Sequence, residues 1–204
     1  MARANIPFGG FIYHDNVYGL SMPRPRRCQV ATAYGTAIFN GDPVKKVSDG
    51  SVSISAAGEP IFGIVTAVHY LTAAGVLVDK NNIPASISYT PDASRTIVDV
   101  IVAYPGIRFR ACSNAAIASV ATARTYVDEN VDHVATAAGN TGTGRSGYEL
   151  AMSTHGTATS QWRLSELLCG TDDPTNDPTQ TQHYWIVEAN ETHNLPGAFS
   201  ATGI

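Results

Sequence analysis

The chain has 204 residues, of which 44% are hydrophobic and only 15% charged, with a formal net charge of −4. That length supports a self-sufficient hydrophobic core, and the charged share falls below the roughly 25% of ordinary soluble domains, which fits a subunit of an assembly better than a free enzyme. The acidic balance argues against nucleic acid as the main partner, and with no export leader and no run of about 18 apolar residues, neither secretion nor a membrane is expected.

Residues 1–29 are rich in Pro, Gly and aromatic side chains and carry Arg3, Arg24, Arg26 and Arg27 against a single acid, Asp15. Pro23 and Pro25 bias the residues before them away from helix, so the segment reads as an extended N-terminal arm. It either wraps its own domain or reaches a neighbour. The body, 30–204, begins with short apolar bursts between turns. Val52 and Ile54 alternate with serines, and Asp49-Gly50 joins Val44–Val47 to Val52–Ile54 as a hairpin. Gly58-Glu59-Pro60 breaks the chain before Ile61–Val68, a run dense in β-branched residues and so a buried strand. A turn-rich excursion at 75–84 offers a possible sub-boundary. Strands are expected again at Ala85–Tyr89, Thr96–Tyr104 and, after Pro105-Gly106, Ile107–Arg110.

The one helix expected is short, within Asn114–Arg124, where several alanines combine with apolar Ile117, Val120 and Ala121 at helical spacing. Beyond Val127–Val134 comes a small, polar, Gly-rich stretch ending near Gly147. Tyr148–Met152, Gln161–Leu168 and Tyr184–Ala189 then read as strands. The pattern predicts an all-β fold: a β-barrel or β-sandwich with an extended N-terminal arm, a smaller appended β-region and at most one short helix. After Arg163 the chain has no Lys or Arg but six acids, Glu166, Asp172, Asp173, Asp177, Glu188 and Glu191. These sit in solvated loops or pair with the basic beginning of the same or another chain.

No constellation with catalytic spacing stands out, so no enzyme, catalytic residue or cofactor is expected. Gly139–Gly147 lacks the Gly-Lys-Ser/Thr ending and following helix of a phosphate loop. Ser146 lies in a stretch that resembles a nucleophile elbow, but Tyr148 stands where the second glycine belongs. His14, His69, His133, His155, His183 and His193 are scattered without metal-ligand spacing, and prolines interrupt the acids around Asp173 and Asp177, so no metal site is expected. Cys28, Cys112 and Cys169 read as buried thiols rather than a disulfide framework.

Three segments carry a resemblance. Residues 4–10 (ANIPFGG) resemble the start of many phage head proteins. Residues 36–46 (TAIFNGDPVKK) with 57–66 (AGEPIFGIVT) resemble the hairpin of phage capsid cement and decoration proteins. Residues 144–154 (GRSGYELAMST) with 185–190 (WIVEAN) are similar to that family's closing strands. The resemblance implies a virion structural protein that binds the outer surface of an icosahedral bacteriophage capsid, contacts the major capsid protein, bridges capsomers and forms a small oligomer, expected as a homotrimer, after synthesis in the bacterial host cytoplasm. The SMPRPRR insertion and the TDDPTNDPTQTQ linker depart from the pattern. The interface is expected at Ile6, Pro7 and Phe8 and at Arg24, Arg26 and Arg27, whose guanidinium groups suit carboxylates on a neighbour. The alternative is a carbohydrate- or receptor-binding tail or fibre module, with Tyr148, Trp162 and Trp185 stacking on sugar rings.

Overall fold

The structure is a computed structural model, which describes residues 10–19, 21–30, 34–72, 74–83, 96–170 and 173–190. Ile6, Pro7 and Phe8, and the strand expected at 85–89, lie outside the described residues. The fold is all-β with one short helix among those described. In chain order the strands are β1 (Ile12–Asn16), β2 (Arg26–Gln29), β3 (Ile38–Phe39), β4 (Pro43–Lys46), β5 (Val52–Ile54), β6 (Gly63–Leu71), β7 (Leu77–Lys80), β8 (Asn82–Ile83), β9 (Ile97–Val102) and β10 (Ile107–Cys112). The helix α1 (Val120–Thr125) follows, then β11 (Asn130–Ala135), β12 (Tyr148–Gly156), β13 (Trp162–Glu166) and β14 (Tyr184–Ala189).

Two six-stranded antiparallel sheets divide these strands. One has the order β1-β10-β14-β13-β11-β12; the other runs β2-β9-β6-β4-β5, with β7 added to β6. The first sheet curls on itself. Its last strand meets the residues just beyond β10, where Ser113 bridges Leu150 and the Asn114 N–H donates to the Leu150 carbonyl at 3.0 Å. This contact covers part of the β12 edge and gives the sheet a barrel-like form, with β1 left as an outer strand. Its interior holds Trp162, Trp185, Phe109, Leu150 and Leu164, all fully buried, with Phe11 stacked on Trp162 at 4.4 Å between ring centres.

The second sheet packs a mainly aliphatic core, Val44, Val52, Val65, Val68, Val98 and Val100, beneath the small β3–β8 pair, which contributes Ile38 and Ile83. Ile64 and Ile101 turn the other way, into the barrel core. Strands buried on both faces need an almost unbroken apolar run, which is the pattern read in 61–68 and 96–104.

Turn chemistry explains one hairpin, and two other turn signals join strands that do not pair with each other. Asp49-Gly50 does close the β4–β5 hairpin: Gly50 has φ +81°, a backbone region glycine enters without a Cβ penalty, and the Asp49 carboxylate accepts from the Ser51 N–H at 2.9 Å. Gly58-Glu59-Pro60 does not close a hairpin, because β4 lies between β5 and β6. Pro105-Gly106 carries the chain from one sheet to the other. The helix also starts later than its alanines suggest. Tertiary hydrogen bonds claim its expected first residues: the Asn114 side-chain oxygen accepts from the Met152 N–H at 3.0 Å, and the Ile117 N–H donates to the Pro178 carbonyl at 2.9 Å. Ser119 then caps α1, accepting from the Thr122 N–H.

Where it is described, the expected arm is extended and paired with the body. β1 pairs with β10 and β2 with β9, each as an outer strand of its sheet. The excursion at 75–84 forms β7 and β8.

Candidate functional site

Arg24, Arg26 and Arg27 lie in or just before β2, and all three are exposed. Alternation along the strand sends the side chains of Arg26 and Arg27 to opposite faces. Arg26 joins Lys46 over the ring of Phe62, their charged groups 5.8 and 4.7 Å from its centre, so two cations share one aromatic face at the margin of the aliphatic core. Arg27 begins a charge ladder on the other face. Its Nε lies 3.4 Å from Asp99 on β9; Asp99 is 3.1 Å from His69 Nε2 on β6; and His69 Nδ1 is 2.6 Å from Asp79 on β7. The Asp79 hydrogen bond, followed by that of Asp99, holds the His69 pKa above its ordinary value against the opposing effect of burial. Basic and acidic side chains therefore alternate across four neighbouring strands.

The sequence identified the arginines of this edge but not Lys46, Phe62, Asp99, His69 or Asp79. One signal was present: Asp99 interrupts the apolar run IVDVIV, and a carboxylate there needs a cation on a neighbouring strand.

The buried polar residues tie the two sheets together at two junctions. At the first, Gln161 sends its amide to the 55–60 turn, donating to the Ala56 carbonyl at 2.8 Å and the Glu59 carbonyl at 2.5 Å. His133, fully buried, accepts from Trp162 Nε1 at Nδ1 (3.1 Å), which leaves Nε2 to carry the proton and donate to the Ser55 carbonyl at 2.8 Å. Burial lowers the His133 pKa to about 4, so the ring is neutral near pH 7.

At the second junction the 39–42 turn meets the Gly-rich loop and the start of β1. The Phe11 N–H donates to Gly41, the Asn40 N–H to Gly144 and the Ser146 N–H to Asn40, all within 3.0 Å. Gly10, at φ +69°, runs so close that a Cβ there would stand 2.5 Å from the Gly41 oxygen and the Ser146 side chain. Asp42, 2% exposed, accepts from the Phe39 N–H at 2.8 Å and from the Ser146 hydroxyl, yet burial still raises its pKa to about 7.

These contacts account for the motifs weighed for chemistry. Ser146 is buried, bonded to Asp42 and accepting from the Tyr148 N–H at 3.0 Å. The Gly-rich loop is held by its own hydrogen bonds: Asn140 Oδ1 accepts from the Gly142 and Thr143 N–H groups, and the Asn140 carbonyl accepts from Gly144. Trp162 and Trp185 have no exposed surface, so these two rings offer no platform for a sugar, while Tyr148 is half-buried against the same core. Cys28, Cys112 and Cys169 are buried and not joined in disulfides. Among the described residues no three His, Cys, Asp or Glu side chains gather to hold a metal ion, and no helix is long and apolar enough to cross a membrane.

Comparison with protein families, curated proteins and solved structures finds no match to this chain.

Proposed function

We propose that the chain is a structural subunit of a bacteriophage head: a non-enzymatic cement or decoration protein that binds the outer surface of the capsid, contacts the major capsid protein, bridges capsomers and works as a homotrimer. The observation behind this reading is β2, where Arg24, Arg26 and Arg27 stand exposed in or just before a strand that, among the described residues, pairs along its length with β9 alone, while Val30 just beyond it bridges Val52 on β5. Such a strand offers guanidinium groups for carboxylates on a neighbour. The engagement of His133, Asp42 and Ser146 in joining the sheets agrees with a role in architecture. Each contact is modest, and repetition by capsid symmetry would supply the avidity.

The test uses shells purified without the protein. Deleting 1–27 is a poor probe, because it removes β1 and half of β2. Substituting Arg24 and Arg26 by Gln leaves both strands in place, and the variant should keep the wild-type melting temperature while shell attachment falls at least tenfold. Failure of the wild-type protein to bind such shells would overturn the proposal. Sedimentation of free and particle-released protein checks the trimer; a monomer in both states would remove that part.

A further inference from the structure

On the outer face of the barrel, β10 presents Arg108 and Arg110 two residues apart, and their surroundings differ sharply. Arg108 is clamped by Asp15 on β1, at 2.7 Å from Nε, and by Glu166 on β13, at 3.1 Å from Nη1. Arg163 on the same sheet is likewise paired, 2.9 Å from Glu188. Arg110 has no carboxylate within ion-pair distance among the described residues; its guanidinium lies over the Tyr184 ring instead, 4.9 Å from the centre. Asp173 is near enough to be lowered slightly by the charge of Arg110, behind stronger hydrogen bonds from Thr175, but does not pair with it.

Arg110 and Tyr184 line a cleft of about 160 Å³ together with Gly10, Ile12 and Arg145, the last from the Gly-rich loop. Two arginines from separate elements thus border one concavity. Its volume is below the roughly 300–1,000 Å³ of sites for drug-sized ligands and cofactors, so a sugar ring or nucleotide is a poor fit. An acidic side chain is a good one. A guanidinium stacked on an aromatic ring keeps its fork in one plane, which matches the two coplanar oxygens of a carboxylate, and the partly exposed Ile12 can cover the methylene stem.

We propose that this cleft binds a protein-borne carboxylate, with Arg110 as the bidentate donor. The source of that Asp or Glu rests on the function proposed above: it belongs to the capsid surface, and the other possible source is a second copy of this chain. The cleft lies on the barrel and is distinct from the β2 edge on the other sheet.

The direct test is a titration of the full chain followed by NMR at the Arg110 Nε–H and the Tyr184 ring, using N-acetylglutamate α-amide as the probe and inorganic phosphate as the comparator. The wild type should show saturable shifts at both residues with the carboxylate. Arg110→Gln should abolish them, and Arg110→Lys, which keeps the charge but loses the fork, should weaken binding at least tenfold. Absence of a saturable shift, equal shifts in Arg110→Gln, or tighter binding of phosphate would overturn the proposal. Two further measurements identify the source: at least tenfold weaker shell attachment by Arg110→Gln assigns the carboxylate to the capsid, and a smaller sedimenting species assigns it to a second copy. Neither effect would overturn a protein-borne source. If the wild type fails to bind shells, the capsid assignment falls, while the titration still decides the cleft.

Discussion

The two junctions between the sheets perform the same task with different chemistry. The Gln161–His133–Trp162 junction is neutral, and each main donor meets a carbonyl or ring nitrogen. The Asp42–Ser146 junction contains a carboxyl group whose charged form is opposed by burial. Their pH responses therefore run in opposite directions. His133, with a folded pKa near 4 against an ordinary 6.5, makes folding more favourable as pH rises between those values. Asp42, with a folded pKa near 7 against 3.8, makes folding less favourable as pH rises across that wider window. Burial of an ionisable group has no fixed consequence for pH stability; the sign depends on which form is charged.

The hardest break of this comparison is Trp162→Ala. It removes a fully buried ring from the barrel core and the donor that fixes the His133 tautomer, and should cost about 3–5 kcal/mol in equilibrium urea unfolding. A loss below about 1 kcal/mol would mean that the first junction does not depend on that ring. Gln161→Leu comes next. It leaves the Ala56 and Glu59 carbonyls without their amide donor, and a loss of about 1–3 kcal/mol is expected. Near-neutral stability would show that water replaces the amide.

Asp42→Asn sharpens the comparison without enlarging or emptying the site, because Asn can still accept from Phe39 and donate to Ser146. The stability of the variant relative to wild type should improve steadily from pH 4 to 7, at no more than about 1.4 kcal/mol per pH unit, and level off above 7. A difference that does not change with pH would refute the assignment of that slope to Asp42. The smallest effect belongs to Lys45→Ala, which removes the partly exposed ion pair with Glu59 beside the first junction. Its cost should be about 0–1 kcal/mol and should shrink further in molar salt, as chemical denaturation at two ionic strengths would show.

The strand content of this fold was legible because period-2 alternation and β-branched runs are local signals. The 184–189 strand and the Asp49-Gly50 hairpin follow directly from them. Pairing order was not legible: Gly58-Glu59-Pro60 and Pro105-Gly106 announce a change of direction, but the partner of the next strand is decided by distant burial. The tryptophans illustrate a signal that was available. In QWRLSE, alternation puts Trp162 with Leu164 and Arg163 with Ser165, so the ring belonged on the core face. Charge partners were hidden for a different reason, since Asp15 and Arg108 meet only through the β1–β10 register and Arg27 and Asp99 only through β2–β9. Arg110 drew no notice because its distinction is the missing carboxylate, which only the arrangement of its neighbours reveals.

The β1–β10 pairing has a further consequence, for the order in which the chain folds. Val17 and Gly106 are hydrogen-bonded at 3.0 Å, yet the whole second sheet, from β2 to β9, is threaded between them. Closing that loop in an unstructured chain carries an entropy cost that grows with the logarithm of its length, and non-local pairings of this kind slow folding. Once the inserted sheet has formed, however, β9 delivers its end directly to β10, and β1 and β10 are held near each other. The inserted half is then the scaffold on which the outer strand of the barrel docks, so amide protection should arise in β6 and β9 before it arises in β1.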